Sequence, residues 1–178
     1  MERVLLTVFV FGLILGARTP RFYVGSATIS EFIVTNTMLK SNISVEMIVV
    51  NRNPRTRIYY DNLQVSAYYG GEIIRWTVCP VMYQGAKNTS TVFPILASQD
   101  FNISLDLANE FSSKKSKGTV MVEVKVLSPI RLKNKGIHRE CNDTLHVSCK
   151  LPLPLNQSRS LSLENYVSRD FNVILPNV

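Results

Sequence analysis

Residues 119–126 read TVMVEVKV, and this segment decides the fold class, because valine fills every second position from Val120 to Val126. The positions in between carry Thr, Met, Glu and Lys, so the two sides of the segment differ in polarity. A period of two is typical of a half-buried strand in an antiparallel sheet. Pro129 follows, and we expect it to end this strand, because proline has no N–H for the ladder.

The same alternation recurs outward from this strand through most of the chain, and turn residues interrupt it. Gly70-Gly71 separates two alternating segments and predicts a hairpin turn. Residues 105–111 could form a short helix or an irregular loop. The remaining candidate strand segments are 22–34 (as one strand or two), 43–50, 58–60, 63–69, 72–78, 91–96, 130–137 and 144–150. This spacing predicts an all-β fold, an immunoglobulin-like or fibronectin-like antiparallel β-sandwich of seven or eight strands.

Size and composition predict one folded domain with a segment on either side. The chain has 178 residues, of which 46% are hydrophobic and 19% charged, so it can bury a core. We expect residues 20–150 to form the β-sandwich. Residues 151–178 contain Pro-rich and Ser-rich stretches, and we expect them to form an irregular C-terminal tail.

The N-terminus carries a targeting signal. Residues 4–17 read VLLTVFVFGLILGA without a charge, between Arg3 and Arg18. As a helix this stretch would be about 21 Å long, shorter than the ~30 Å hydrocarbon core of a bilayer. Its length fits a signal peptide, whereas the weak match of Leu15-Gly16-Ala17 to a cleavage site keeps a short signal anchor open. Either way, we expect residues 1–19 to be an apolar signal anchor or signal peptide that contains a short helix, and the rest of the chain to lie outside the cytosol.

Asn-x-Ser/Thr sequons support this compartment, because N-glycans are added in the secretory pathway. The candidate glycosylation sites are Asn42, Asn88, Asn102, Asn142 and Asn156.

The chain has 3 cysteines, Cys79, Cys141 and Cys149. In an oxidising compartment a hairpin would bring Cys141 and Cys149 within disulfide reach, and two buried free thiols are the alternative. Cys79 is then left over. No Cys-x-x-Cys pair is present, so the sequence predicts no metal site.

The formal net charge is +7, and part of it lies in the run Arg131, Lys133, Lys135. These residues form a possible face for an acidic partner, either anionic lipid or an acidic cell-wall polysaccharide, and the alternative is an ordinary solvated strand face. No stacking aromatic residues stand between these charges, which argues against nucleic acid.

The sequence contains no pattern of a catalytic or cofactor site. Its two histidines lie in a basic, strand-like region without a paired carboxylate motif. Gly70-Gly71 is not followed by Gly-Lys-Ser/Thr, so it does not form a phosphate loop. We therefore expect no enzymatic activity and no cofactor.

Several short motifs resemble the plant harpin-induced and non-race-specific disease-resistance-like proteins, which carry a late embryogenesis abundant group 2 domain. The resemblance covers roughly residues 20–150. Its segments are Pro20-Arg21-Phe22, Asn51-Arg52-Asn53-Pro54, Ile58-Tyr59-Tyr60-Asp61, Tyr68-Tyr69 and Tyr83-Gln84-Gly85-Ala86-Lys87-Asn88-Thr89. We expect these residues to be structural, since Pro54 directs the chain out of a strand and pushes Asn53 into an extended conformation.

The resemblance implies a single-pass plasma-membrane protein whose β-sandwich faces the apoplast or lumen. It also implies a part in pathogen defence or stress responses, and it supplies no catalytic residues. Secretion is the alternative location. The alternative function is a secreted or soluble stress protectant that shields membranes or proteins.

Overall fold

The computed structural model describes residues 18–114, 118–134, 140–154 and 161–162. These ranges contain eleven strands and one helix, so the predicted count of seven or eight strands was too low. The predicted N-terminal helix over the apolar stretch 4–17 lies outside the described residues. The strands are β1 (Arg21–Thr35), β2 (Met38–Val50), β3 (Thr56–Tyr60), β4 (Leu63–Tyr69), β5 (Glu72–Cys79), β6 (Met82–Gln84), β7 (Thr89–Val92), β8 (Ile95–Asn102), β9 (Thr119–Asn134), β10 (Glu140–Pro154) and β11 (Leu161–Ser162), and the helix is α1 (Leu105–Lys114).

Each of two antiparallel sheets is built around one long hairpin. In the first sheet β1 pairs with β2, and the other edge of β2 is shared by β8 and β7. In the second sheet β10 pairs with β9, and the other edge of β9 is shared by β4 and β3. The outer positions are taken by β11 beside β1, β5 beside β4, and β6 beside β3. This arrangement confirms the predicted all-β antiparallel class, while the immunoglobulin-like or fibronectin-like type stays a prediction.

The core lies between the two sheets and follows the period of two in the sequence. The alternate valines of β9, from Val120 to Val126, are all buried. Phe22 of the first sheet meets Tyr60 of the second edge-on, with ring centroids 6.3 Å apart. Each buried aliphatic or aromatic side chain contributes about 1.5–3 kcal/mol by leaving water. The shared core therefore holds the two sheets together.

Strand β9 continues through Pro129, so the prediction that this proline ends the strand was wrong. The Pro129 carbonyl accepts a hydrogen bond of 3.1 Å from the Asp61 N–H, so the proline nitrogen points to the same edge of the strand. Along that edge of β9, the pairing with β3 stops at Ile130 and the pairing with β4 starts at Leu127. Residue 129 lies in the gap between these two paired regions. The missing N–H therefore costs no ladder hydrogen bond.

The second sheet also extends beyond the predicted end of the domain at residue 150. Strand β10 runs to Pro154, and Leu151 and Leu153 are fully buried. Within the predicted irregular tail, β11 pairs with Ser26 and Ala27 of β1. At least part of residues 151–178 therefore belongs to the folded domain.

Cys141 and Cys149 lie on the same strand, β10, opposite Leu132 and Val124 of β9. The eight-residue separation corresponds to about 26 Å of extended chain at ~3.3 Å per residue. A disulfide requires Cα atoms about 4.4–6.8 Å apart. The predicted intramolecular Cys141–Cys149 disulfide is therefore wrong, because the hairpin turn lies before both cysteines instead of between them.

The Gly70-Gly71 turn and helix α1 close one end of the domain. Gly70 has φ 57° and Gly71 has φ 87°, values that favour glycine, and both confirm the predicted hairpin turn. Helix α1 confirms the helical alternative for residues 105–111. It begins after Ser104, whose Oγ accepts a hydrogen bond of 3.2 Å from the Leu107 N–H as an N-cap.

Candidate functional site

Three of the resemblance motifs, those that contain Asn51, Tyr60 and Gln84, meet in a buried polar network at the other end of the domain. The Asn51 side-chain amide donates hydrogen bonds to the carbonyls of Thr56 (2.9 Å) and Gly85 (2.8 Å). Its Oδ1 accepts hydrogen bonds from the backbone N–H (3.0 Å) and the side-chain amide (2.8 Å) of Asn53. Asn51 thereby ties the β2–β3 connection to the β6–β7 turn.

Gln84 connects the same network to the core between the sheets. It is fully buried, and its Nε2 donates to the carbonyls of Val49 (2.7 Å) and Asn88 (3.1 Å). Its Oε1 accepts a hydrogen bond of 3.1 Å from the Tyr60 hydroxyl. Burial raises the pKa of Tyr60 far above its usual range, so this phenol stays protonated.

Asn53 fixes the point where the chain enters the domain. Its Nδ2 donates to the Arg18 carbonyl (2.6 Å), and its Oδ1 accepts from the Arg18 N–H (2.5 Å). The Asn53 carbonyl accepts a hydrogen bond of 2.9 Å from the Lys87 N–H. Asn51, Asn53 and Gln84 are at most 1% exposed. These side chains hold the scaffold and present no reacting group to solvent.

The outer face of the second sheet carries one cross-strand row over β6, β3, β9 and β10. In order, the row contains Tyr83, Tyr59, Arg131 and Asn142. The two tyrosine rings are 4.9 Å apart between centroids, and the Arg131 guanidinium carbon lies 5.1 Å from the Tyr59 centroid. A cation at this distance is attracted to the ring face. The row therefore combines aromatic surface with a positive charge.

Asp61 neutralises part of this charge. Its carboxylate accepts two hydrogen bonds from Arg131, from Nε and from Nη2, each 2.7 Å long. The hydrogen bonds from Arg131, together with its charge, hold the pKa of Asp61 below its usual value. Beside the pair lies an open depression of about 340 Å³, lined also by Asn142 and Thr144.

A second outward-facing row lies next to the first. Arg57 of β3 is directly opposite Lys133 of β9. Two members of the predicted acidic-partner face, Arg131 and Lys133, thus lie on one face, whereas Lys135 is outside the described residues. Sequence reasoning missed Arg57, although its alternation with Tyr59 places both on this face. We call Arg57, Tyr59, Tyr83, Arg131 and Lys133 the aromatic–basic face.

Four of the five sequon asparagines lie on described parts of the chain. Asn88, Asn102 and Asn142 are exposed, and Asn42 is half-buried on the outer face of the first sheet. Asn156 lies outside the described residues. The four described side chains are thus accessible from solvent.

Within the described ranges, neither a metal-ligating cluster nor a helix suited to a membrane span is present. There, no group of three His, Cys, Asp or Glu side chains is placed to hold a metal ion. No helix in those ranges combines the length and apolarity that a membrane span needs.

Fold and site together define a two-sheet antiparallel β domain with a buried Asn/Gln network at one end and an exposed aromatic–basic face. The chain belongs to the NDR1/HIN1-like family. It is 31% identical over 149 residues to NDR1/HIN1-like protein 12 of Arabidopsis thaliana, covering 83% of this chain and 70% of that protein. It is 28% identical over 127 residues to NDR1/HIN1-like protein 10 of the same plant, covering 70% and 56%.

The chain corresponds to only part of the length of some of these relatives. The chain spans 56% of the length of NDR1/HIN1-like protein 10 and 51% of NDR1/HIN1-like protein 2. No family model matches. A solved late embryogenesis abundant (LEA) protein is similar with a TM-score of 0.41 and 11% identity, covering 84% of this chain and 80% of that chain. A protein from Archaeoglobus fulgidus gives 0.37 and 11%, covering 76% and 95%.

Proposed function

We propose that this chain is a non-enzymatic module with a role in plant defence or stress response. Membership of the NDR1/HIN1-like family carries this proposal, together with the LEA-type resemblance of its motifs. The site chemistry supports it, because the motif residues Asn51, Asn53 and Gln84 are buried in hydrogen bonds that stabilise the fold. Loss of the defence or stress response in a null mutant, with rescue by the intact chain, is the direct test.

The proposed location is the plasma membrane, with the β domain in the apoplast and residues 1–19 as its anchor. The hydrogen bonds between Arg18 and Asn53 support a close tether, because they fix the backbone directly after the apolar stretch 4–17. Secretion after cleavage near Ala17 is the alternative. The accessible sequon asparagines favour either of these locations over the cytosol.

One extraction experiment tests location and glycosylation together. The full chain, with a C-terminal tag, is expressed in plant cells, and membranes are washed with carbonate and treated with a glycosidase. A tag that stays in the pellet and moves faster after the glycosidase supports an anchored glycoprotein. A soluble tag with the same shift supports secretion. A soluble tag without a shift contradicts both the tether and the glycans.

For the aromatic–basic face we propose an acidic cell-wall polysaccharide as partner. Tyr59 and Tyr83 offer flat apolar surface for sugar rings, and Arg57 and Lys133 offer charge for carboxylates. Retention of the full chain on immobilised polygalacturonate should fall in Tyr83→Ala. The matched control is Trp76→Ala, which removes another exposed ring of the same sheet, on β5. Equal retention of both variants and the parent chain would refute the role of the tyrosines.

A further inference from the structure

Five exposed cations surround the buried network at the end of the domain where the chain enters. They are Arg18, Arg21, Arg52, Arg55 and Lys87, and we call them the basic collar. Asn53 lies close to three of them, Arg18, Arg52 and Lys87. Arg18 is bound by the Asn53 side chain, Arg52 is its neighbour in sequence, and the Lys87 N–H donates to its carbonyl at 2.9 Å.

The other two collar residues, Arg21 and Arg55, lie on chain segments next to these three. Arg21 begins β1 and pairs in register with Val50, the last residue of β2. Arg55 stands between the Asn53-Pro54 turn and the first residue of β3. The collar residues thus lie on three neighbouring chain segments at one end of the domain, next to the Arg57–Lys133 row.

Within the described ranges, the acidic residue at this end is Glu140, which begins β10 opposite Lys133 of β9, a residue outside the collar. None of the five collar cations forms an ion pair in the part of the chain that the structure describes. The ion pairs there, such as Glu31–Lys40 at 2.9 Å, involve other residues. Glu31 is on the same strand as Arg21 but roughly 30 Å further along it, at about 3.3 Å per residue. Glu72, Asp106 and Glu110 also lie at that far end, around the Gly70 turn and α1. Like charges held together repel, so an external anion would stabilise the collar.

The position of the collar along the chain points to the source of that anion. Arg18 directly follows the apolar stretch 4–17, and Asn53 fixes its backbone on both sides of the residue. No flexible linker therefore separates the apolar stretch from the collar. Lipid headgroups carry a phosphate at the end of any membrane-inserted segment, and arginine and lysine side chains at such an end extend towards it.

We infer that the basic collar binds the phosphate of anionic lipid headgroups in the membrane that holds residues 4–17. The inference rests on the proposed membrane tether, and it moves the lipid contact away from Arg131 and Lys133. The collar end of the domain then faces the bilayer, and the Gly70 turn and α1 point away from it. The aromatic–basic face stays at the side, open to the cell wall.

Lysine acylation of the anchored full chain tests this orientation. The chain is reconstituted into vesicles of phosphatidylcholine alone or with phosphatidylserine, and the acylation rates of Lys87 and Lys40 are compared by mass spectrometry. Lys87 belongs to the collar, whereas Lys40 is exposed at the far end of β2. We expect Lys87 to react severalfold more slowly in phosphatidylserine vesicles, and Lys40 to react equally in both. About 0.5 M salt should remove the difference, because it shortens the screening length to a few ångströms.

Charge variants give the quantitative test. Each collar cation should strengthen association with the surface roughly fivefold, so Arg52→Gln/Arg55→Gln should weaken it roughly 25-fold. Arg75→Gln/Lys150→Gln removes the same charge from exposed positions on β5 and β10 and is the matched control. If the chain is recovered without its apolar segment, co-sedimentation of that processed chain with the same vesicles gives this measurement.

The outcomes separate the collar from the tether. A carbonate-resistant chain whose Lys87 reacts equally in both vesicles overturns the collar and leaves the tether intact. A soluble processed chain that sediments with phosphatidylserine vesicles, and loses this in Arg52→Gln/Arg55→Gln, supports the collar although the tether fails. If the collar and control variants lose vesicle association equally, the inference is overturned, because the net positive charge of the whole chain would then explain the binding.

Discussion

Asp61 and Arg131 form a bidentate ion pair with two hydrogen bonds of 2.7 Å, although 70 residues separate them in sequence. Asp61 directly follows β3, and its backbone N–H also donates to Pro129 of β9. The ion pair therefore links the β3–β4 connection to strand β9. It also keeps the Arg131 guanidinium over the Tyr59 ring.

The first prediction is a pH dependence of stability that Asp61→Asn removes. The hydrogen bonds and charge of Arg131 lower the pKa of Asp61 in the folded state, so the pair stabilises the fold at pH values above the unfolded-state pKa of about 4. This contribution is lost as the pH falls through the lower folded-state pKa. The difference in unfolding free energy between the parent chain and Asp61→Asn should therefore be constant above about pH 5 and shrink as the pH falls further.

Urea denaturation at a series of pH values measures that difference. Arg131→Gln supplies the control, because in its background Asp61→Asn should have little pH-dependent effect. A difference that stays constant over the whole pH range would show that the ion pair does not stabilise the fold.

The second prediction concerns the glycine turn. Gly70 has φ 57°, and a Cβ at this position would collide with the Cδ1 of Leu107, which is buried on α1. Gly70→Ala should therefore lower the unfolding free energy by about 2–4 kcal/mol, from backbone strain and overpacking. Gly71→Ala meets no atom within 4 Å and should cost only about 1–2 kcal/mol. Denaturation midpoints decide this, and equal costs would mean that the turn does not press on α1.

Local alternation predicted the strands well where each strand has one buried and one exposed face. The predicted segment 63–69 matches β4, whose inward residues Leu63, Val65, Ala67 and Tyr69 are all buried. The pattern failed where polar residues are buried. Strand β2 begins at Met38, five residues before the predicted start at residue 43. The prediction started too late because Ser41 faces the core and interrupts the alternation of apolar residues.

The contacts of the site depend on topology that the sequence does not reveal. Asn53-Pro54 predicted a strand exit, but not that Asn53 binds Arg18, 35 residues away. Arg57 stands apart from the basic run in sequence, and only the register of β3 with β9 places it opposite Lys133. The same register shows that Pro129 faces a gap between two strands. Such relations arise from pairing between distant segments, which no short motif encodes.

The third prediction concerns the cysteines. Non-reducing peptide mapping of the purified chain should find no Cys141–Cys149 bridge, because both lie on β10. Cys79 is 6% exposed, and burial raises the pKa of its thiol, so iodoacetamide should label it slowly in the native chain and rapidly in denaturant. A bridged Cys141–Cys149 peptide would contradict the pairing of β9 with β10.

The last prediction tests the buried network through Gln84 and Tyr60. Gln84→Ala removes the hydrogen-bond partner of the buried Tyr60 hydroxyl and one donor to the Val49 carbonyl, and it opens a cavity. We expect a loss of about 3 kcal/mol in unfolding free energy. Tyr60→Phe leaves only Gln84 Oε1 unpaired and should cost about 1–2 kcal/mol.

Because the two side chains share one hydrogen bond, their effects should not add. Gln84→Met should cost less in the Tyr60→Phe background than in the parent chain, with a coupling of about 0.5–3 kcal/mol measured by urea denaturation. Gln64→Ala, half-buried on the outer face of β4, is the control and should stay within about 0.5 kcal/mol. Additive effects would mean that Gln84 stabilises the fold only through the Val49 and Asn88 carbonyls. In that case the network would connect the end of β2 to the β6–β7 turn, and its hydrogen bond to the Tyr60 hydroxyl would not stabilise the fold.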